Sequence, residues 1–437
     1  MREDATDALL IITRLVRAND ARMHDVRMNA APSKPGLREL LATPSFMRLW
    51  AIGGCVTAMR WYEVLAAALF TLDVTGSGLA VAIVTAARSL PMFVLGAFAG
   101  VLSEAVNRKH IMIAGYLFAA SASASVAILG ALGWAKPWHL GLAALAAGTV
   151  WSTEMATRRR MVGEAVTNPL VPRALALDTM SNSLTRLVGP VVAGALYEWG
   201  GLTLAFTVST GVFLFAAFLG SGLHYRQETR HLGLSQVPRD LAEGFSYARA
   251  NTVIAGVLVV TIAMNLLGFP YSALLPPIGQ QLFQVGPILI GVLAAAESFG
   301  SLLGGLRLAS GDPPGAGRVL MVGGSLMFLG AVALMPLIPW FWPACALLVV
   351  AGIGASAFAN MQTSLIIMHA PPAMRSRLMG LLTVCIGMGP WGILLVGILA
   401  GLFGPLIAID ALMLAGFTSV AWCGLYWKRR EKRDVKT

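Results

Sequence analysis

The sequence is short of charge: Asp, Glu, Lys and Arg make up 12% of its 437 residues. Soluble globular chains carry about 25%. So little charge cannot cover a water-soluble body of this length, which excludes a soluble enzyme, a nucleic-acid-binding protein and a disordered scaffold. Cysteine is scarce too. Cys55, Cys345, Cys385 and Cys423 all lie in apolar runs, where thiols act as small packing residues, so neither a disulfide frame nor a zinc site is expected. No histidine lies deep in an apolar run, and no G-x-x-x-x-G-K-[ST] phosphate loop occurs. Metal ligation, enzymatic chemistry, a cofactor and direct drive by ATP are therefore not expected.

Apolar residues fill the space, at 57% of the chain with a mean hydropathy of +0.73. The 47 Gly and 22 Pro are spread through the apolar runs, as in packed membrane helices. A bilayer core ~30 Å thick needs ~20 apolar residues per helix. Stretches of that kind fall at 46–72, 79–102, 110–134, 138–157, 174–198 and 201–223, then at 252–278, 287–309, 318–339, 343–368, 378–402 and 404–427. The predicted class is an all-α integral membrane protein with 12 transmembrane helices in two pseudo-symmetric six-helix bundles, 46–223 and 252–427. A tail (1–45), a polar linker (224–251) and a basic tail (428–437) complete the chain. Within the linker, PRDLAEGFSYAR reads as a short amphipathic helix along the membrane surface.

Charge placement supports that count. Of the 32 Lys and Arg, 28 lie in or beside the N-terminal segment through Arg48, the even-numbered loops and the C-terminal tail. All of these share one side if there are twelve spans. The positive-inside rule then puts both termini in the cytoplasm of a bacterial-type inner (plasma) membrane, and the net charge of +11 needs no nucleic acid.

The two blocks resemble each other locally. AARS (86–89) corresponds to AAES (295–298), Lys109 to Arg318, and Gly189-Pro190 to Gly389-Pro390. Internal repeats of this kind build many secondary transporters, with the substrate site near midplane between them.

An ionisable residue at the centre of a span costs roughly 2.5–3.5 kcal/mol, so it needs a partner, water or a function. Span 1 carries Arg60 and Glu63 around Trp61 and Tyr62, and span 2 carries Arg88, whose counterpart in span 8 is Glu297. Span 4 carries Glu154; span 5 carries Asp178, Asn182 and Arg186 at four-residue spacing. Arg60 and Glu63 either pair along their own helix or face a cavity. Arg186 meets Asp178, a neighbouring helix or the cargo. Glu154 pairs with nearby Arg158–Arg160 or gates. Glu297, ten residues from Arg307, either meets a cation from another span, such as Arg88 or Arg60, or is protonated. In span 7, Asn265 followed by Gly268-Phe269-Pro270 and Tyr271 marks a helix break.

The loop GVLSEAVNRKH (100–110) resembles the signature of the major facilitator superfamily. Gly100, Glu104, Arg108 and Lys109 match, with glutamate for the usual aspartate and Asn107 for a later glycine; GDPPGAGR (311–318) is a degenerate second copy. DVTGSG, SLPMFVLGAFAG, SLTRLVGPVVAG, NLLGFPYSALLP and RSRLMG resemble the branch containing siderophore and macrolide exporters. Gly189, Pro190 and Gly194 match the end of the antiporter signature. The resemblance implies that spans 1, 2, 4, 5, 7, 8, 10 and 11 line a cavity while 3, 6, 9 and 12 face lipid. It also implies that the loop around Glu104, Arg108 and Lys109 pins neighbouring helices when the cytoplasmic side is closed.

The expected function is proton-coupled export of a small amphipathic or anionic compound by rocking-bundle alternating access. Arg60, Trp61, Tyr62, Glu63, Arg88, Asn182, Arg186, Asn265, Tyr271 and Glu297 are the candidates for binding and coupling, with Glu63 and Glu297 titrating. Glu104, Arg108, Lys109, Glu154 and Asp178 are the gating candidates. The expected partners are a small-molecule substrate, protons and the lipid bilayer, without nucleic acid, and the chain is expected to be a monomer. An importer or lysolipid flippase of the same fold, or a non-transporting carrier-like sensor, are the alternatives.

Overall fold

The computed structural model describes residues 37–225, 237–309 and 317–434; for 96–105, 428–434 and scattered single positions it describes the backbone alone. Most of the N-terminal tail, part of the linker and all but the last two residues of GDPPGAGR lie outside the described residues.

The described chain is helical throughout. Its α-helices are α1 (Leu37–Leu41), α2 (Pro44–Thr75), α3 (Gly78–Ala105), α4 (Arg108–Ala131), α5 (Pro137–Glu164), α6 (Val171–Ser221), α7 (Val237–Ala250) and α8 (Thr252–Ala263). They continue with α9 (Leu275–Gln281), α10 (Pro287–Ala309), α11 (Gly317–Leu334), α12 (Phe341–His369), α13 (Pro372–Ile386), α14 (Gly389–Phe403) and α15 (Pro405–Asp434). Local chemistry sets many ends. Proline, which lacks an N–H and has a helical φ, opens α2 and α5. The Asn107 side chain accepts from Lys109 N (3.0 Å) and caps α4, which gives that residue a purpose where the signature has glycine. Asn251 caps α8 in the same way, accepting from Val253 N and Ile254 N.

Among the described residues, ten stretches are long and apolar enough to cross a membrane. One is α6, whose 51 residues would run about 77 Å if straight, far beyond a bilayer core. It breaks at Gly200 and Gly201, and Gly201 has φ +61°, which only glycine adopts readily. Helix α5, with 28 residues, is not among the ten, because Glu154 and Arg158–Arg160 dilute its apolar run.

The break expected after Asn265 is present. A π-helical turn over Met264–Gly268 leads into a 3₁₀ turn over Phe269–Leu274, joining α8 to α9. Pro270 cannot donate to the ladder, and Asn265 Nδ2 donates to Thr261 O (2.9 Å) within the disturbed segment.

Buried apolar side chains form two large clusters. One draws on residues 40–223 together with Ile290, the other on residues 248–427. Between the halves the backbones approach closely: a Cβ on Gly194 would lie 2.3 Å from Pro287 O, and one on Gly291 would lie 2.4 Å from Pro190 O. Helix α7 packs on α13 through Glu243 and Arg377 (3.0 Å).

Candidate functional site

A cavity of about 370 Å³ is lined by both halves of the chain. From α2 it takes Arg60, Trp61, Val64, Leu65 and Ala68, one helical face. At about 100° per residue, Tyr62 and Glu63 project roughly 130° from the centre of that face. Tyr62 is buried behind it and donates to Ala205 O (2.8 Å). Glu63 is buried as well. It accepts from Arg88 Nη1 (2.9 Å), Ser123 Oγ (2.7 Å) and Ser209 Oγ (2.5 Å). Glu63 thus pairs with Arg88 rather than Arg60, and neither Glu63 nor Arg88 lines the cavity.

Arg60 is held by aromatic rings. Its guanidinium carbon lies 3.6 Å from the Trp151 ring centroid and 4.7 Å from that of Trp61. No carboxylate pairs with it among the described residues. A desolvated cation–π contact contributes about 2 kcal/mol. That offsets much of the roughly 2.5–3.5 kcal/mol an arginine costs at this depth.

Across the cavity, Glu297 on α10 is buried and accepts from Arg186 Nη2 of α6 on one oxygen. Tyr271, aimed by the 3₁₀ turn, donates to its other oxygen (2.6 Å). The cation that Glu297 meets is therefore Arg186, and the pair links the two halves. Arg186 also lies 5.0 Å from the Trp61 centroid and is a third exposed. Asn265 lines the cavity, while Asn182 is half-buried on α6 and does not.

At the end of the molecule that carries the α3–α4 loop, charges gather within the N-terminal half. Arg158 donates through Nε to Glu154 and through Nη1 and Nη2 to Asp178 (2.5 and 3.3 Å), so Asp178 pairs with Arg158 and not with Arg186. Arg108 reaches both oxygens of Glu164 (3.2 Å each) and Tyr225 Oη (2.6 Å). Tyr225 donates to Glu164 Oε2 (2.6 Å); burial, then that carboxylate, raises its phenol above the ordinary value. Lys109 Nζ caps the end of α6 on Ser221 O and Leu223 O (2.8 and 2.7 Å). The Glu104 side chain lies outside the described residues.

At the opposite end, hydrogen bonds cross between halves. Asp73 accepts from Gln280 Nε2 (2.9 Å) and from Tyr197 Oη (2.7 Å), and Glu198 accepts from Ile288 N (3.1 Å). None of these residues, nor Trp151, Ser123 or Ser209, is among the candidates that the sequence singles out. The one available signal for Trp151 was its place one helical turn before Glu154.

A family described as transmembrane secretion effector matches residues 39–434. The chain is 24% identical over 337 residues to macrolide efflux protein A of Streptococcus pyogenes, covering 73% of this chain and 80% of that protein. It is 24% identical over 361 residues to the multidrug efflux pump Tap of Mycolicibacterium fortuitum, covering 78% and 87%. A bacterial homologue of the human lysosomal transporter Spinster, solved inward-facing and occupied, superposes with a TM-score of 0.70 at 14% identity, covering 89% of this chain and 96% of that one.

Proposed function

We propose, on the premise that this chain belongs to the transmembrane secretion effector family of major facilitator transporters, that it is a proton-coupled exporter of a small amphipathic or anionic compound. The efflux relatives support the direction. Twelve spans follow from the ten apolar stretches once the two arms of α6 are counted separately and α5 is added. The one-sided Lys and Arg put both termini in the cytoplasm. The spans form two six-helix bundles, 46–223 and 252–427, joined by the linker 224–251, and the carrier works as a monomer with the tails at 1–45 and 428–437.

The Arg186–Glu297 pair carries this reading, because it ties the two bundles together across the cavity. A proton on Glu297 removes the charge that holds Arg186, while Tyr271 keeps the carboxyl in place and Arg60 adds positive charge to the same wall. Proton uptake thereby loosens the bundles, and proton loss rejoins them. Glu63 acts here as the counterion of Arg88. Glu154, Arg158 and Asp178, with Arg108, Glu164 and Lys109, bind helices of the N-terminal bundle so that it rocks as one body; Glu104 belongs to the same gate by resemblance. Asp73–Gln280 and Glu198–Ile288 seal the outer end and part when it opens.

The test uses proteoliposomes with an internal pH dye and a panel of siderophores, macrolides, organic anions and lysolipids. Wild type should move protons with at least one compound, and Glu297→Gln should bind that compound without moving protons. Unchanged pH dependence in Glu297→Gln would remove Glu297 from the role. Flux without proton movement in wild type would make the protein a uniporter or couple it to another ion.

A further inference from the structure

Three arginines sit deep in the cavity-forming spans, but only one keeps its charge uncompensated. Arg88 is paired with Glu63, behind the cavity wall, and Arg186 with Glu297, within it. Arg60 lines the cavity, pairs with no carboxylate and donates to no acceptor among the described residues. Its guanidinium carbon lies over the Trp151 ring at 3.6 Å, the separation of a stacked pair, and over the Trp61 ring at 4.7 Å. A guanidinium held by its face leaves the edge free, and the edge carries the N–H fork that matches a planar oxyanion with two parallel hydrogen bonds. Beside it, Trp61 lines the same wall, and its buried indole N–H has no acceptor among the described residues. The rest of the lining is largely apolar, with Val64, Leu65, Met92 and Ile393 among it.

We infer that the cargo is an organic monoanion, a carboxylate on an apolar body, and that its carboxylate is received by Arg60 with Trp61 while Trp151 fixes the guanidinium plane. The cavity volume of about 370 Å³ sets the body at the small end of drug-like ligands. This inference rests on the carrier reading for its physiological meaning, but the site itself is tested by binding alone.

The experiment is calorimetric titration of the purified full chain in lipid nanodiscs, at fixed ionic strength, with three probes of one shape: 1-naphthoate, its methyl ester and 1-naphthylmethylammonium. Wild type should bind naphthoate at least tenfold more tightly than the ester and the ammonium. Arg60→Gln should lose that preference while keeping its affinity for the ester. Arg60→Lys should keep only part of it, since an ammonium has no fork. Equal binding of naphthoate and its ester by wild type overturns the site, and that comparison needs no variant to fold. Anion preference that survives Arg60→Gln overturns it as well, as does failure of naphthoate to bind up to its solubility limit. Naphthoate flux in proteoliposomes is read separately. Selective binding without flux leaves the site standing and sinks the carrier reading; flux of neutral or cationic compounds without anion preference does the reverse.

Discussion

Arg158 lies between two acids, Glu154 one turn back on its own helix and Asp178 on the next, with Gly53 of α2 beneath it. A Cβ on Gly53 would lie 2.2 Å from Arg158 Nη1, so the guanidinium occupies the space that a side chain would need. All three charges are buried. Removing one member of a buried ion pair costs roughly 3–5 kcal/mol, because the other charge is left alone, whereas replacing every member by neutral groups of similar shape is close to neutral. Arg158→Met should therefore lower the thermal midpoint in detergent markedly, and the triple change Glu154→Gln, Arg158→Met, Asp178→Asn should recover most of the loss. A triple variant no more stable than the single one would refute this account. The deep charges themselves were legible, since charge is rare in this chain, but their partners were not. Spacing along one helix leaves open how that helix is rotated against its neighbours. That rotation turned Glu63 away from Arg60 and toward Arg88, and hid Ser123 and Ser209, two small polar residues in otherwise unremarkable apolar spans.

Most of the stretches read from hydropathy end within a few residues of a helix end, but the helices Pro137–Glu164 and Pro405–Asp434 run seven residues past 157 and 427, where the sequence turns charged. The break at Pro270 was legible because proline announces it, whereas the close approach of helices through glycine was not. The internal repeat shows why. A Cβ on Gly148 of α5 would lie 2.0 Å from Arg88 O of α3, and a Cβ on Gly352 of α12 would lie 1.9 Å from Glu297 O of α10. Glycines on two different helices therefore receive the backbones of AARS and AAES, a correspondence that only the packed structure reveals. Gly352→Ala has to part α12 from α10 and should destabilise the protein by about 1–3 kcal/mol, the usual result of overpacking. Gly323→Ala, with open space around its Cβ, should be neutral or mildly stabilising, because alanine is the better helix former. Thermal melts of the two variants side by side check both signs. The Gly352→Ala change also shifts the backbone that carries Glu297, so its transport should fall further than its stability alone explains.

Seen whole, the molecule joins its halves at one end through Asp73–Gln280 and Glu198–Ile288, and in the middle through Arg186–Glu297. A reducible thiol-to-thiol linker between cysteines placed at Asp73 and Gln280 should stop transport by holding that end shut, and reduction should restore it. Full activity in the linked protein would show that this end need not open. The all-helical, multi-span fold was legible from the apolar runs. The seal was not, because its residues are ordinary polar ones at span ends. One consequence reaches past chemistry into electricity. The charged groups in the cavity wall are Arg60, Arg186 and Glu297, so the empty cavity carries one net positive charge and a cavity holding a monoanion carries none. In the proposed cycle the loaded carrier would cross without moving charge, and the empty one, with the proton on Glu297, would return carrying two positive charges inward. An inside-negative membrane favours each of those charges by about 2.3 kcal/mol per 100 mV. The resting voltage alone would thus turn the cycle toward expulsion, and a current should flow whose size tracks voltage through the unloaded half of the cycle.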